Sequence, residues 1–172
     1  TDNDGRNSRA RTVTLTIKGT NDAPVISVGT GDSDSNSLTE TEASLSTSGT
    51  LTVTDVDLSD NVSLTKSVTA TGTTTGIEFN NSQLESLFTV TSGSISADPT
   101  DTKNISWTFD AGTDAFDYLN YGESLKLSYT ITALDNSSAT ATHDITLTIK
   151  GTNDNIAPVL NLNTIDSSTN NY

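Results

Sequence analysis

The side chains in this sequence that could do chemistry are almost all oxygen ligands. Asp55, Asp57 and Asp60 lie together in LTVTDVDLSDN at 51–61, Asn21 and Asp22 close the segment VTLTIKGTND at 13–22, and Asp135 with Asn136 follows the apolar alternation from Leu125 to Leu134. Glu40 and Glu42 stand two apart, and Asn153, Asp154 and Asn155 form a second Asn-Asp cluster near the far end. Cysteine is absent and His143 is the sole histidine. Thiolate ligation, disulfides and cysteine catalysis are thereby excluded, and a histidine metal site or triad is disfavoured. Lys plus Arg total 8 against 22 Asp plus Glu, a net charge of −14. Nucleic acid and anionic membrane both need a basic face, so neither is expected as a partner; cations are favoured. Taken singly, each Asp or Asn has an ordinary use as a turn residue. Whether they act together depends on the elements that carry them.

Those elements are strands. Thr occurs 33 times and Ser 23 times in 172 residues; Thr suits a half-buried pleated surface, so the expected fold class is all-β. Apolar residues fall at every second position: Leu51 and Val53; Val62 and Leu64; Ile105, Trp107 and Phe109; Leu125, Leu127, Tyr129 and Ile131; Ile145, Leu147 and Ile149. Period two with Thr or Ser between describes antiparallel strands with one buried face, packed as a sandwich with Trp107 in its core. Two stretches break the period. Ser82 with Glu85 predicts a capping box opening a helical turn through Leu84, Leu87 and Phe88, and DAFDYL at 114–119 predicts another turn before the NYGE corner. Both are expected to plug the ends of the sandwich. No apolar run approaches the roughly 18 residues needed to cross a bilayer.

The segment VTLTIKGTND at 13–22 recurs as ITLTIKGTND at 145–154, nine identities in ten positions and 132 residues downstream. Ala-Pro-Val follows each copy, the second after Asn155 and Ile156 are inserted. Such a duplication predicts a tandem array: residues 1–22 as the last strand and linker of a preceding repeat, 23–154 as one complete sandwich, and 155–172 as a linker and the start of the next. The polar opening TDNDGRNSRA reads as a cut through a longer chain.

Strand direction then brings the acids together. With the linker at Asn21–Asp22 defining the top, the strand from Val25 runs down toward Glu40 and Glu42. The strand through Leu51 climbs back and delivers Asp55 and Asp57 to the top. The final strand, Thr140 to Lys150, must run down to Asn153–Asp154, so its hairpin partner runs up and leaves Asp135 at the top. At ~4 Å separation and an effective dielectric near 20, each carboxylate pair would repel by about 4 kcal/mol. A counter-ion is therefore expected, and carboxylates, amides and carbonyls suit Ca²⁺, which takes about six to eight oxygens in flexible geometry. The expected upper site comprises Asn21, Asp22, Asp55, Asp57 and Asp135, with Asp60 as an outlying ligand. The lower one comprises Glu40 or Glu42 with Asn153, Asp154 and Asn155.

GTLTVTDVD at 49–57, ISWTFD at 105–110, the span from AFDYLNYGESLKLSYTITALDN to ITLTIKGTND, and the Ala-Pro-Val after it resemble the VCBS repeat of large bacterial RTX-type adhesins. The resemblance covers nearly the whole 132-residue unit. It implies a secreted, multi-copy immunoglobulin-like module at the bacterial cell surface, serving adhesion or biofilm formation. A more distant resemblance is to cadherins, whose DxNDNAP linker is similar to GTNDAP here, DxD to Asp55–Asp57, AxD to Ala133–Asp135 and base Glu to Glu40. It implies Ca²⁺ at domain junctions. This chain departs from that pattern in opening its linkers with Gly19 and Gly151.

The expected function is a spacer, a rod of sandwiches stiffened by Ca²⁺ at each junction, with neighbouring repeats of the same chain as its partners. A different reading makes the module a binder of a surface glycan or protein, for which Tyr118 and Tyr121 are the pair able to stack on a sugar. A third makes it the subunit of a self-associating fibre, through the isolated strand Thr12 to Lys18. Catalysis is not expected: GxSxG, P-loop and HExxH motifs are absent, and His143 with Asp144 lies on a strand.

Overall fold

The computed structural model describes residues 3–6, 9–41, 43–113 and 115–153. Among the described residues, nine strands and one helix succeed one another: β1 (Val25–Ser27), β2 (Ser35–Thr39), β3 (Ser46–Thr54), β4 (Asn61–Gly72), α1 (Asn81–Ser86), β5 (Phe88–Val90), β6 (Ile95–Ser96), β7 (Ile105–Asp110), β8 (Ser124–Leu134) and β9 (Thr140–Lys150). They form two sheets, ordered β1-β3-β7-β5 and β2-β9-β8-β4-β6. With β1, β3, β7 and β5 as A, B, E and D, and β9, β8 and β4 as G, F and C, this is the strand order of an immunoglobulin-like sandwich. The expected fold class holds, with one difference. Pairing is antiparallel except that β2 runs parallel to β9, from Ser35 opposite Thr146 to Thr39 opposite Lys150. The chain enters on one sheet and crosses to the other within its first strand region.

Alternation explains the core. In β7, β8 and β9, Ile105, Trp107, Phe109, Leu125, Leu127, Tyr129, Ile131, Ile145, Leu147 and Ile149 are all buried, with Thr, Ser and Lys126 between them. Phe88 stacks on Tyr129 at 4.2 Å between centroids and on Trp107 at 5.7 Å, tying the two sheets together. Burial pushes the Tyr129 phenol far up, and its hydroxyl donates to the Leu84 carbonyl at 2.8 Å. The indole of Trp107 donates to Ser33 O at 3.0 Å. Its ring lies against Gly49, where a Cβ would come within 2.5 Å of it. Only glycine leaves room for the indole there.

The helical turn forms where expected, but its cap is different. Asn80 and Gln83 make the reciprocal capping box, Asn80 Oδ1 accepting from Gln83 N–H and Gln83 Oε1 from Asn80 N–H. Ser82 and Glu85 sit two residues too late to do this, and Phe88 belongs to β5. Lys66 occupies an inward position of β4 and donates to the carbonyls of Glu85 and Phe88, covering the helix C-terminus with positive charge. Of the DAFDYL stretch, Asp114 lies outside the described residues; the part from Ala115 closes as a turn, Leu119 N–H donating to Phe116 O at 3.0 Å.

The loop that moves the chain from β1 to β2 is held by Asp32. Burial acts to raise its pKa, but donation from the Thr50 and Thr52 hydroxyls and Gly29 N–H, with Lys103 nearby, outweighs this and holds it below 3.8. A carboxyl depressed by folding stabilises the fold fully above its unfolded pKa, and that contribution is lost as pH falls through the folded value. Asp32→Asn is therefore expected to cost about 1–2 kcal/mol at neutral pH and progressively less below pH ~4. Urea unfolding across pH 2–7 measures this; a gap that stayed constant with pH would refute it.

Candidate divalent-cation site

The upper end is built by four segments. β1 pairs with the end of β3, Val25 opposite Thr54, which sets Asn21 and Asp22 beside the residues that follow β3. Asp55 comes next in that chain and is 2% exposed. Its N–H donates to Ala97 O, and its Oδ1 accepts from Asp57 N–H at 2.9 Å. Asp57 Oδ2 in turn accepts from Asp22 N–H at 2.7 Å. From below, β8 rises to Asp135, 5% exposed, whose Oδ1 accepts from Ser137 and Ala139 N–H and whose Oδ2 accepts from the Asn21 amide at 2.9 Å. Donation by Asn21, with lesser help from the Ala139, Ser137 and Ser138 N–H groups, outweighs burial and holds the Asp135 carboxyl below its ordinary range. Asp60 reaches the edge of this group through Ser137 Oγ at 3.5 Å. Residues from three distant parts of the sequence thus join in one hydrogen-bonded chain: Asp55, Asp57, Asp22, Asn21, Asp135 and, at its margin, Asp60.

This arrangement is a network rather than a coordination shell. Among the described residues no three acidic or histidine side chains converge on one point at metal-ligand spacing. The physical reason lies in the linker, whose N–H and amide donors take carboxylate oxygens that an ion would otherwise draw inward. One oxygen is left over. Asp55 Oδ2 is buried and has no hydrogen-bond partner, in a cluster where like charges already repel. An orphaned anionic oxygen of this kind costs several kcal/mol (about 1–3 or more) unless a cation or proton meets it. The donor set, all oxygen, fits a hard divalent cation.

The lower end repeats the pattern. Glu40, 1% exposed, directly follows β2, and its Oε2 accepts from Thr152 N–H at 3.2 Å and Thr152 Oγ at 2.9 Å. Its Oε1 is likewise buried and unpartnered. Asn153 is exposed beside it. Glu42, Asp154 and Asn155 lie outside the described residues. The glycine that opens this linker, Gly151, has a physical cause: a Cβ there would sit 2.4 Å from the carbonyl oxygens of Leu119 and Asn120.

Several other side chains find structural employment. Asn104 was not singled out by any pattern, yet its amide pairs with both Val53 N–H and Val53 O at 2.8 Å, extending the β3–β7 ladder by one rung. His143 meets Asp34 at 3.1 Å across the β9–β2 edge. Tyr118 donates to Thr73 O at 2.7 Å while Tyr121 is 83% exposed.

No protein-family model matches this chain, and no curated protein matches it. Among solved structures, it is similar to the ASH/PapD-like domain of human CEP192 (PapD-like domain 7), at 12% identity and a TM-score of 0.43, over 86% of this chain and 98% of that one. It is also similar to the periplasmic chaperone SfaE, at 13% identity and a TM-score of 0.40, over 75% of this chain and 57% of that one. The strand order itself makes the chain immunoglobulin-like.

Proposed function

We propose that this chain is a spacer module of a tandem array in a VCBS-type bacterial surface adhesin, its complete unit spanning residues 23–154, stiffened by Ca²⁺ where modules join. The observation that carries this reading is the buried, unpartnered Oδ2 of Asp55 inside the Asp57–Asp22–Asn21–Asp135 network. The duplicated linker extends it. Thr20-Asn21-Asp22 matches Thr152-Asn153-Asp154, so each junction would draw a buried Glu40-type carboxylate from the module above and Asp55, Asp57 and Asp135 from the module below. Two orphaned oxygens, one per module, would then flank the same three linker residues. An ion there neutralises repulsion that otherwise drives the modules apart, and it resists bending because both modules contribute ligands. The role is mechanical, with no catalytic step.

Extracellular modules hold Ca²⁺ with a Kd of roughly 10⁻⁴ to 10⁻³ M, so the rod would form outside a cell and slacken inside it. Calorimetric titration of Ca²⁺ into chelator-treated chain should give saturable heat in that range, and a chain of two or more repeats should lengthen in small-angle scattering. Absence of heat together with an unchanged maximum dimension would remove the proposal.

A further inference from the structure

Strand β4 has an open side. β6 pairs with it only at Asn61 and Val62, while β8 pairs with its other side from Ser63 to Gly72. In an antiparallel ladder alternate residues turn their N–H and C=O away from the partner strand. Thr73 N–H donates to Ser124 O, which fixes the phase: Ser67, Thr69 and Thr71 bond β8, and Leu64, Lys66, Val68 and Ala70 turn their main-chain groups outward. Among the described residues no hydrogen bond meets the outward groups of Val68 and Ala70. The strand expected at Thr12 to Lys18 does not cover them, since those residues form no strand and pair with no sheet. An inward-pointing lysine is one way in which sheets guard such an edge. Lys66 holds that position, but its ammonium is engaged by the carbonyls of Glu85 and Phe88.

Two hollows adjoin this edge. The first, about 320 Å³, lies between Val68, Thr69 and Ala70 on one wall and Ile77, Phe79 and Leu84 on the other. Val68 and Ala70 face inward and Thr69 outward, so a space that touches all three lies on the strand's flank, and β8 fills the opposite flank. The second, about 140 Å³, lies across Phe79, where Phe116 and Tyr118 complete an aromatic wall and Glu78 and Asp117 supply exposed carboxylates. The Phe79 and Phe116 rings are 5.4 Å apart, and the Tyr118 ring is fixed by its hydroxyl's bond to Thr73 O. Carboxylates beside aromatic faces favour a cation, and a lysine or arginine can lay its alkyl stem on the rings and its charge at the acids.

We infer that the open side of β4 is a docking site for an extended, basic segment of another protein. That segment pairs with the main chain of Val68 and Ala70, buries an apolar side chain against Ile77, Phe79 and Leu84, and sets a lysine or arginine in the Glu78–Asp117 cleft. Main-chain bonds give strength and the two hollows give selectivity. Charge decides the occupant: a second copy of this chain brings a net −14 to the same acidic cleft, whereas a basic segment is drawn to it. The site shares no residue with the cation network and does not depend on the tandem reading.

The test uses the full chain in chelator and a labelled seven-residue peptide of alternating valine and threonine with a lysine at each end, so that either strand direction brings a lysine to the cleft. Fluorescence anisotropy should show saturable binding at one peptide per chain, with the largest amide resonance shifts at Val68 and Ala70. N-methylation of alternate peptide residues should weaken binding by about tenfold or more in one phase and little in the other, because only one set of N–H groups faces β4. Glutamate in place of both lysines, or Glu78→Gln with Asp117→Asn in the chain, should also weaken it about tenfold or more. No binding at millimolar peptide, equal effects of the two N-methylation phases, or full affinity in the double variant overturns the inference. A dimer of the chain alone in sedimentation, with Val68 and Ala70 amides protected in it, gives the edge to a second copy and overturns it too.

Discussion

Phe88→Ala is expected to remove about 3–5 kcal/mol of stability, the range for deleting a buried aromatic ring. The whole fold of such a domain is stabilised by about 5–15 kcal/mol, so the variant should be largely unfolded under mild denaturant. Phe88 is fully buried, and its ring touches both sheets: it stacks within 15° of the Tyr129 plane and within 18° of the Trp107 plane. It also anchors β5, which has only three residues and pairs with β7 alone. Little backbone pairing would remain to hold that edge once the ring is gone, and its rigid aromatic neighbours cannot collapse into the space. Urea unfolding followed by Trp107 fluorescence should show a lower midpoint with an unchanged slope. A loss below about 2 kcal/mol would mean that α1 and Leu84 shift to fill the cavity.

Asp55→Asn should separate the two states of the upper end by sign. Without Ca²⁺ the substitution removes a buried charge whose Oδ2 has no partner, in the same network as Asp57, so the melting temperature in chelator should equal or exceed that of the parent. With Ca²⁺ at about 100 times its Kd, the parent should gain about 2.7 kcal/mol, or roughly 5–10 °C for a domain of this size, and the variant should gain almost none. Differential scanning calorimetry in chelator and in millimolar Ca²⁺ measures both arms. A variant that melts well below the parent in chelator would show that Asp55 acts through its bond with Asp57 N–H; a variant that keeps the full Ca²⁺ shift would remove Asp55 from the ion's ligands.

Alternation and duplication carried far. The period-two runs at Ile105 to Phe109, Leu125 to Leu134 and Ile145 to Ile149 marked β7, β8 and β9, because burial of one face is recorded locally in every second residue. The two copies of the ten-residue segment oriented the chain, and from orientation alone Asp55, Asp57 and Asp135 could be placed at the same end as Asn21 and Asp22. The parallel strand β2 left no such trace: SNSLT has a single half-buried apolar residue, Leu38, and is held by main-chain bonds to β9. The capping pair Asn80–Gln83, the Asn104 rung and the reach of Lys66 to α1 are likewise bonds between partners whose meeting depends on how loops fold back. The same holds for the decisive feature of the site. Composition and spacing put the carboxylates at one end, but only the tertiary structure decided which oxygens the linker's donors take and which two, on Asp55 and Glu40, are left buried without a partner.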